Sequence, residues 1–268
     1  MALNTEWYEP MDPADLDDIE AQQRQLSFHL GWFADPIYLG DYPEEMRRRC
    51  GDRLPAFTPE EQELLKGSTD FFALNTYAAR YVGRPSFTRK LLALPGNIRT
   101  GPSILEQLHR LFRKEDPAFP APEPGTPSYF SDLGDDLTSI DVNAELSAMG
   151  WPVTPWGLGS LLCHLQNRYR PGAIYVTENG VAFDQETPEE QRTRFLMQHA
   201  AAIHSARQRG VDVRGYFVWS LMDNFEWAVG TTKRFGLFEV DFETLTRRER
   251  ECCKWYRSLC QNNSMEND

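Results

Sequence analysis

Four short, almost continuously apolar runs recur along this chain, each separated from the next by helical material. They are residues 1–4 (MALN), 70–75 (DFFALN), 173–177 (AIYVT) and 213–219 (VRGYFVW). A half-exposed strand alternates apolar and polar residues, because its side chains point to opposite faces in turn. Runs without that alternation suit strands covered on both sides, as in parallel sheets whose crossover helices lie on the faces. Strand and helix in regular alternation therefore predict an α/β domain built on a parallel sheet.

The stretches between the runs carry helix start and stop signals. In Thr58-Pro59-Glu60-Glu61 the threonine can accept from a free backbone N–H, the proline has none to leave unpaired, and Glu61 can reach back to the cap. Thr187-Pro188-Glu189-Glu190 repeats the device before a helix expected to run to about Arg209. Within it Phe195, His199, Ala202, Ile203 and Ala206 share a stripe, and Gly210 is placed to end it. Residues 15–30, 156–168 and 247–259 also read as helices. Residues 83–143 break the rhythm, with Pro/Gly clusters at 94–102 and 117–127 around one short amphipathic helix near 105–112. This reads as a long surface excursion from a strand end. No internal repeat is found. The whole of 1–268 is expected to be one domain carrying that excursion.

Charge and composition narrow the function classes. A net charge of −12 disfavours nucleic acid and anionic membrane as partners, since both demand a basic surface. No apolar run approaches the roughly 20 residues needed to span a bilayer. Residues 1–10 lack a basic stretch followed by an apolar one, so no secretory signal is expected. The cysteines Cys50, Cys163, Cys252, Cys253 and Cys260 are odd in number and form no C-x-x-C pair. Reduced thiols in a cytoplasmic protein are the simplest reading. In the last helix, one of Cys252 and Cys253 is expected to face the core and the other to face away.

Two motifs carry the chemistry. Tyr175-Val176-Thr177-Glu178-Asn179-Gly180 ends a buried strand in a carboxylate before Asn-Gly turns the chain. In parallel α/β proteins functional groups gather at the carboxyl ends of strands, where the connecting loops frame a pocket. Alone, this motif fits an acidic turn residue better than a functional one. The second motif, Trp219-Ser220-Leu221-Met222-Asp223-Asn224-Phe225-Glu226-Trp227, follows the next strand and mixes aromatic faces with carboxylate and amide groups. Sugar sites need that mixture, flat apolar rings for C–H faces and charged acceptors for hydroxyls. A tryptophan-rich loop packed under helices fits it as well.

Together with Arg234-Phe235-Gly236-Leu237, Val240-Asp241-Phe242, Gly150-Trp151 and residues 70–77 (DFFALNTY), 30–42 (LGWFADPIYLGDY) and 2–7 (ALNTEW), these motifs resemble glycoside hydrolase family 1, the β-glucosidases and their relatives. The likeness covers nearly the whole chain apart from 83–143. It implies a partial (β/α)8 barrel, strands five to eight with their helices, and hydrolysis of β-linked glucosides or galactosides with retention, without metal or organic cofactor. Glu178 matches the nucleophile that forms a covalent glycosyl-enzyme. Asn75 and Tyr77 match residues that hydrogen-bond around it and steady its ionised form. Trp219, Glu226 and Trp227 match the glycone pocket, with Glu226 taking two adjacent hydroxyls, and Phe235 closes that pocket. Trp151 matches an aromatic platform for the aglycone. For Tyr77 and Phe235 core packing is the competing reading.

The resemblance also exposes a gap. Retaining hydrolysis uses a second carboxyl group as acid/base, which the family carries in an Asn-Glu-Pro motif on the fourth strand. No such motif occurs in this sequence, and the first four strands are expected to lie upstream of Met1. Glu9-Pro10 is a poor substitute, because it follows Tyr8 rather than Asn and lies beyond the fifth-strand match. Two expectations follow. The chain is the C-terminal portion of a β-glucosidase-like enzyme, inactive or nearly so alone, whose open sheet edges drive self-association or recruit the other half. Alternatively it is a non-catalytic remnant that binds a glycoside or a partner.

Overall fold

The computed structural model describes residues 1–84, 126–134, 136–184 and 189–264. In chain order its elements are β1 (Ala2–Asn4), β2 (Trp7–Pro10), α1 (Leu16–Leu26), α2 (Trp32–Leu39), α3 (Glu44–Cys50), α4 (Pro59–Leu65), β3 (Phe72–Asn75) and β4 (Ala79–Gly83). There follow α5 (Tyr129–Leu133), β5 (Leu137–Ser139), α6 (Pro155–Tyr169), β6 (Ile174–Asn179), α7 (Glu189–Gln208), β7 (Val213–Val218), β8 (Phe238–Val240), β9 (Arg247–Glu249) and α8 (Glu251–Asn262). The chain divides into two compact units, one of Met1–Asn4, Phe71–Ala78 and Glu145–Asp268, the other of Thr5–Asp70 and Ala79–Ala144. Among the described residues no helix is long and apolar enough to cross a membrane.

The first unit holds a four-stranded sheet in the order β1-β3-β6-β7, with every pair parallel. All four are the strands expected from the apolar runs. Their spatial order follows their chain order, so each crossover steps the same way. A doubly wound sheet reverses direction at a switch point, whereas successive steps without reversal build a barrel wall. On one face of the sheet Phe72, Leu74, Ile174 and Val176 are almost fully buried, as are Leu161, Leu162 and Leu165 of α6. Each such side chain contributes about 1.5–3 kcal/mol. The opposite face is more open. Phe71 and Phe217 are 46% and 54% exposed, and Phe71 meets Tyr175 edge-on at 5.0 Å between ring centroids. A Cβ on Gly215 would lie 2.5 Å from the Tyr175 ring, so any side chain at this strand position would have to displace that ring.

The helix signals are mostly realised. Thr58 and Glu61 form the reciprocal cap of α4 at 3.2 and 2.8 Å. Helix α6 starts at a proline, and Gly210 adopts φ +89° after α7. Phe195, His199, Ile203 and Ala206 of α7 are buried while Ala202 is only partly so. The Thr187-Pro188 half of the second cap and the helix near 105–112 lie outside the described residues. The helix expected over 15–30 continues beyond α1 through a π turn, Ser27–Gly31, into α2.

Two expectations are corrected here. Residues 247–249 belong to β9, which pairs antiparallel with β8, so the last helix begins four residues later than expected. Cys252 and Cys253 are both buried, in one cluster with Phe195, Leu196, Leu237 and Trp255. At the start of α8 the hairpin covers the side that a lone helix would show to solvent. All five cysteines are free of disulfides.

The second unit contains a three-stranded sheet, β2-β4-β5, that the apolar runs did not announce. Its strand β4 carries Arg80, fully buried and paired with Glu6 at 2.7 Å. Glu9 in β2, Arg80 in β4 and the polar Thr138 and Ser139 in β5 hide these strands from a reading based on apolar continuity.

Candidate active site

The first unit places Glu178 at the carboxyl end of β6, where the strand loses its regularity. Leu74 pairs with Val176 but Asn75 pairs with Glu178, so Thr177 and Glu178 together face one residue of β3. On the other side Val176 pairs with Tyr216 and Asn179 with Val218, which places the same extra residue against β7. This is a β-bulge, and bulges re-aim side chains beside functional sites. The burial of β6 shows the effect, alternating up to Val176 and then leaving Thr177 and Glu178 both partly open before Asn179 is buried again.

Tyr77 Oη donates to Glu178 Oε2 at 2.6 Å. Burial first, then this hydrogen bond and the negative charges of Glu178 and Glu226, push the Tyr77 phenol well above its ordinary range, so it stays a donor. Asn75, expected to bond around the same carboxylate, instead accepts from Thr177 Oγ1 at 2.6 Å and secures the bulge. Between these two residues, Thr76 N–H donates to the Glu178 carbonyl at 2.9 Å.

The loop after β7 is brought against this strand end. Trp219 N–H donates to the Asn179 carbonyl at 2.9 Å, and a Cβ on Gly180 would lie 1.8 Å from the Trp219 carbonyl oxygen. Glycine at 180 is thus what lets the two motifs touch. The peptide bond between Trp219 and Ser220 is cis. Trp219 Nε1 donates to Glu226 Oε2 at 3.2 Å. Glu226 is buried, and burial raises its carboxyl above the ordinary range; the Trp219 hydrogen bond offsets part of this and the Glu178 charge adds to it. Two carboxylates that sense each other, a phenol and an indole N–H therefore lie side by side at these strand ends.

The aromatic residues divide. Trp151, Tyr77 and Phe235 form one cluster, with ring centroids 5.5 Å apart for Tyr77–Trp151 and 6.0 Å for Trp151–Phe235, and both Trp151 and Phe235 are buried. Both pack against the Tyr77 ring as buried neighbours. Trp227 is 73% exposed on a short turn with φ +45°, so this loop tip is turned to solvent. Glu9 belongs to the second unit and accepts from Trp7 Nε1 at 2.6 Å.

Sequence reasoning missed the residues that hold the site together. Asp223 lies in the tryptophan-rich motif, among the residues to which no separate role was assigned. It is buried, takes both ends of the Arg250 guanidinium at 3.0 and 3.1 Å and accepts from Gly236 N–H at 2.8 Å. Arg192 of α7 donates to the carbonyls of Phe183 at 2.9 Å and Arg234 at 2.8 Å. An arginine inside the apolar stripe of a helix was the available signal, since such a charge needs buried partners.

The model of glycosyl hydrolase family 1 matches residues 1–265. The chain belongs to that family. It is 32% identical over 277 residues to β-glucosidase 4 of Oryza sativa subsp. japonica, covering 100% of this chain and 50% of the relative. With β-glucosidase 42 of Arabidopsis thaliana it shares 33% identity, over 96% of this chain and 48% of the relative. With human lactase/phlorizin hydrolase the figures are 34%, 99% and 13%. Among solved structures, a rice β-glucosidase superposes with a TM-score of 0.76 at 30% identity, covering 97% of this chain and 50% of its own. β-Glucosidase 2 of Trichoderma reesei gives 0.75 at 33% identity, with 98% and 52% covered. The chain spans about half the length of the β-glucosidases it matches, and its fold is a partial (β/α)8 barrel.

Proposed function

We propose that residues 1–268 are the nucleophile-bearing portion, strands five to eight, of a retaining β-glycosidase that hydrolyses O-linked β-glucosides or β-galactosides. The observation that carries this reading is the Tyr77–Glu178 hydrogen bond beside the Trp219–Glu226 pair, close enough for the two carboxylates to feel each other's charge. A phenol donor stabilises the carboxylate through one oxygen, and the other attacks the anomeric carbon as the bond to the aglycone breaks. Water then displaces Glu178 from the glycosyl-enzyme. Glu226 binds glycone hydroxyls, Trp219 orients Glu226, and Phe235 with Trp151 backs the site. In this reading Trp227 folds over the sugar only when one is bound.

Both steps need an acid/base carboxyl about 5–5.5 Å from the nucleophile. The family motif that supplies it is not within 1–268, so this portion alone has little activity on ordinary glycosides. Loss of a general acid typically costs about 10²–10⁴-fold. Activated leaving groups depend on it least. A 2-deoxy-2-fluoro-β-glucoside with a dinitrophenolate leaving group is therefore expected to label the purified chain slowly on the peptide containing Glu178, with no label in Glu178→Gln. Robust turnover of an aryl β-glucoside that survives Glu178→Gln would show the nucleophile to be elsewhere.

A further inference from the structure

The reaction uses Glu178 and Tyr77, yet neither side chain fixes its own position. Glu178 stands on a bulge, where the strand ladder is interrupted, and Tyr77 lies two residues past the end of β3. Something must set the distance between these two chain ends. The residue placed to do so is Asn179, 1% exposed and directly after the nucleophile.

The Asn179 carboxamide is used at both ends. Nδ2 donates to the Thr76 carbonyl at 2.9 Å, and Oδ1 accepts from Tyr216 Oη at 2.9 Å. Its own backbone carbonyl accepts from Trp219 N–H. Thr76, 3% exposed, is thereby held twice, through its N–H to the Glu178 carbonyl and through its carbonyl to Asn179. Tyr77 is the next residue. Tyr216 is in turn anchored from α8, whose Tyr256 Oη donates to the Tyr216 carbonyl at 2.7 Å. A single carboxamide thus ties the ends of β3, β6 and β7 where the backbone ladder has been interrupted.

We propose that Asn179 is a positioning residue that sets the Tyr77–Glu178 hydrogen bond by clamping Thr76, and that Tyr216 holds the carboxamide in the orientation this requires. The proposal deepens the nucleophile reading and rests on it for its meaning. The geometry demands both functions of a carboxamide. Aspartate would keep the acceptor for Tyr216 but set a carboxylate oxygen against the Thr76 carbonyl. Alanine would leave that buried carbonyl and the Tyr216 hydroxyl without partners, which costs more than the bonds themselves are worth. Burial first, then neighbouring Tyr256, keeps the Tyr216 phenol above its ordinary range and so a donor at any working pH.

The test reads the hydrogen bond directly. In the full chain the Tyr77 hydroxyl proton is followed by NMR, assigned by its disappearance in Tyr77→Phe and its displacement in Glu178→Gln. Asn179→Ala is expected to move it upfield and to speed its exchange with water by about tenfold. Tyr216→Phe is expected to produce the same change more weakly, and Asn179→Asp not to restore it. Loss of stability without loss of positioning would lower the melting temperature and leave the resonance of the folded chain where it was. An unmoved resonance in both Asn179→Ala and Tyr216→Phe overturns the proposal; if Asn179→Ala does not fold, Tyr216→Phe decides alone. The resonance does not depend on catalysis. Absent fluoroglycoside labelling with the Asn179 effect intact sinks only the nucleophile reading, and labelling with an unmoved resonance sinks only the clamp.

Discussion

Replacing Tyr77 with Phe removes one oxygen and leaves the ring packed against Trp151 and Phe235. A hydrogen bond to a charged group is worth about 1.5–3 kcal/mol, so the rate of fluoroglycoside labelling at Glu178 is expected to fall by about 10–100-fold with little loss of stability. An equal rate in Tyr77→Phe, measured by intact-mass kinetics, would mean that Tyr77 is only a core aromatic. Single residues also set an acid limit to stability. His199, stacked on Phe195 at 3.9 Å, and His29, stacked on Tyr8 at 5.3 Å, are held down to about 4 by burial. The unfolded chain binds protons to these imidazoles near pH 6.5 while the folded chain does not, so their contribution is intact above about 6.5 and drains away as pH falls toward 4. Urea unfolding at pH 7.5 and 5 is expected to show this loss, and His199→Gln to flatten its share. At this scale the place of Glu178 at a strand end was legible because it is a local pattern, whereas its match to a nucleophile came only with the family resemblance. The bulge at Thr177 and the clamp by Asn179 were not legible, since both depend on register with strands about 40 and 100 residues away.

Elements whose pattern is local were read correctly, and elements made by long-range pairing were not. The four parallel strands and helices α4, α6 and α7 follow from apolar runs and caps. The β8–β9 hairpin does not, because Arg247-Arg248-Glu249 reads as the charged first turn of a helix. Its connection turns at Leu245, with φ +58°, rather than at a glycine, and Asp241 Oδ1 secures it by accepting from Glu243 N–H at 2.9 Å. The tryptophan-rich loop is fastened to this hairpin by backbone hydrogen bonds from Phe238 N–H to the Leu221 carbonyl at 2.9 Å and from Asp223 N–H to the Phe238 carbonyl at 3.0 Å, and to the start of α8 by the Asp223–Arg250 pair, with side chains 0% and 8% exposed. Removing one partner of such a buried pair typically costs about 3–5 kcal/mol, because the other charge is stranded. Asp223→Ala also leaves Gly236 N–H without an acceptor. It is therefore expected to destabilise the chain by about that amount and to abolish labelling through misplacement of Trp219 and Glu226. If Asp223→Ala unfolds at the wild-type urea midpoint, the pair is not needed to fasten the loop.

For the molecule as a whole, the sheet β1-β3-β6-β7 ends on two strands that each have a single partner among the described residues. A closed barrel has no such edges, because its last strand pairs with its first. The chain spans about half the length of the β-glucosidases it matches, and the open face of its sheet displays the rings of Phe71 and Phe217. A parallel edge beside exposed aromatic rings invites another chain, and a net charge of −12 opposes only part of that attraction at physiological salt, where charges are screened beyond about 8 Å. Purified on its own, the chain is expected to self-associate in the micromolar range and to bind a hydrophobic dye. Phe217→Glu, which sets a charge on that face without touching Glu178 or Tyr77, is expected to shift sedimentation toward the monomer and to lower dye binding. A wild-type chain that sediments as a monomer at every concentration and binds no dye would mean that its own residues cover the open wall, and the half-barrel would then be a self-sufficient fold.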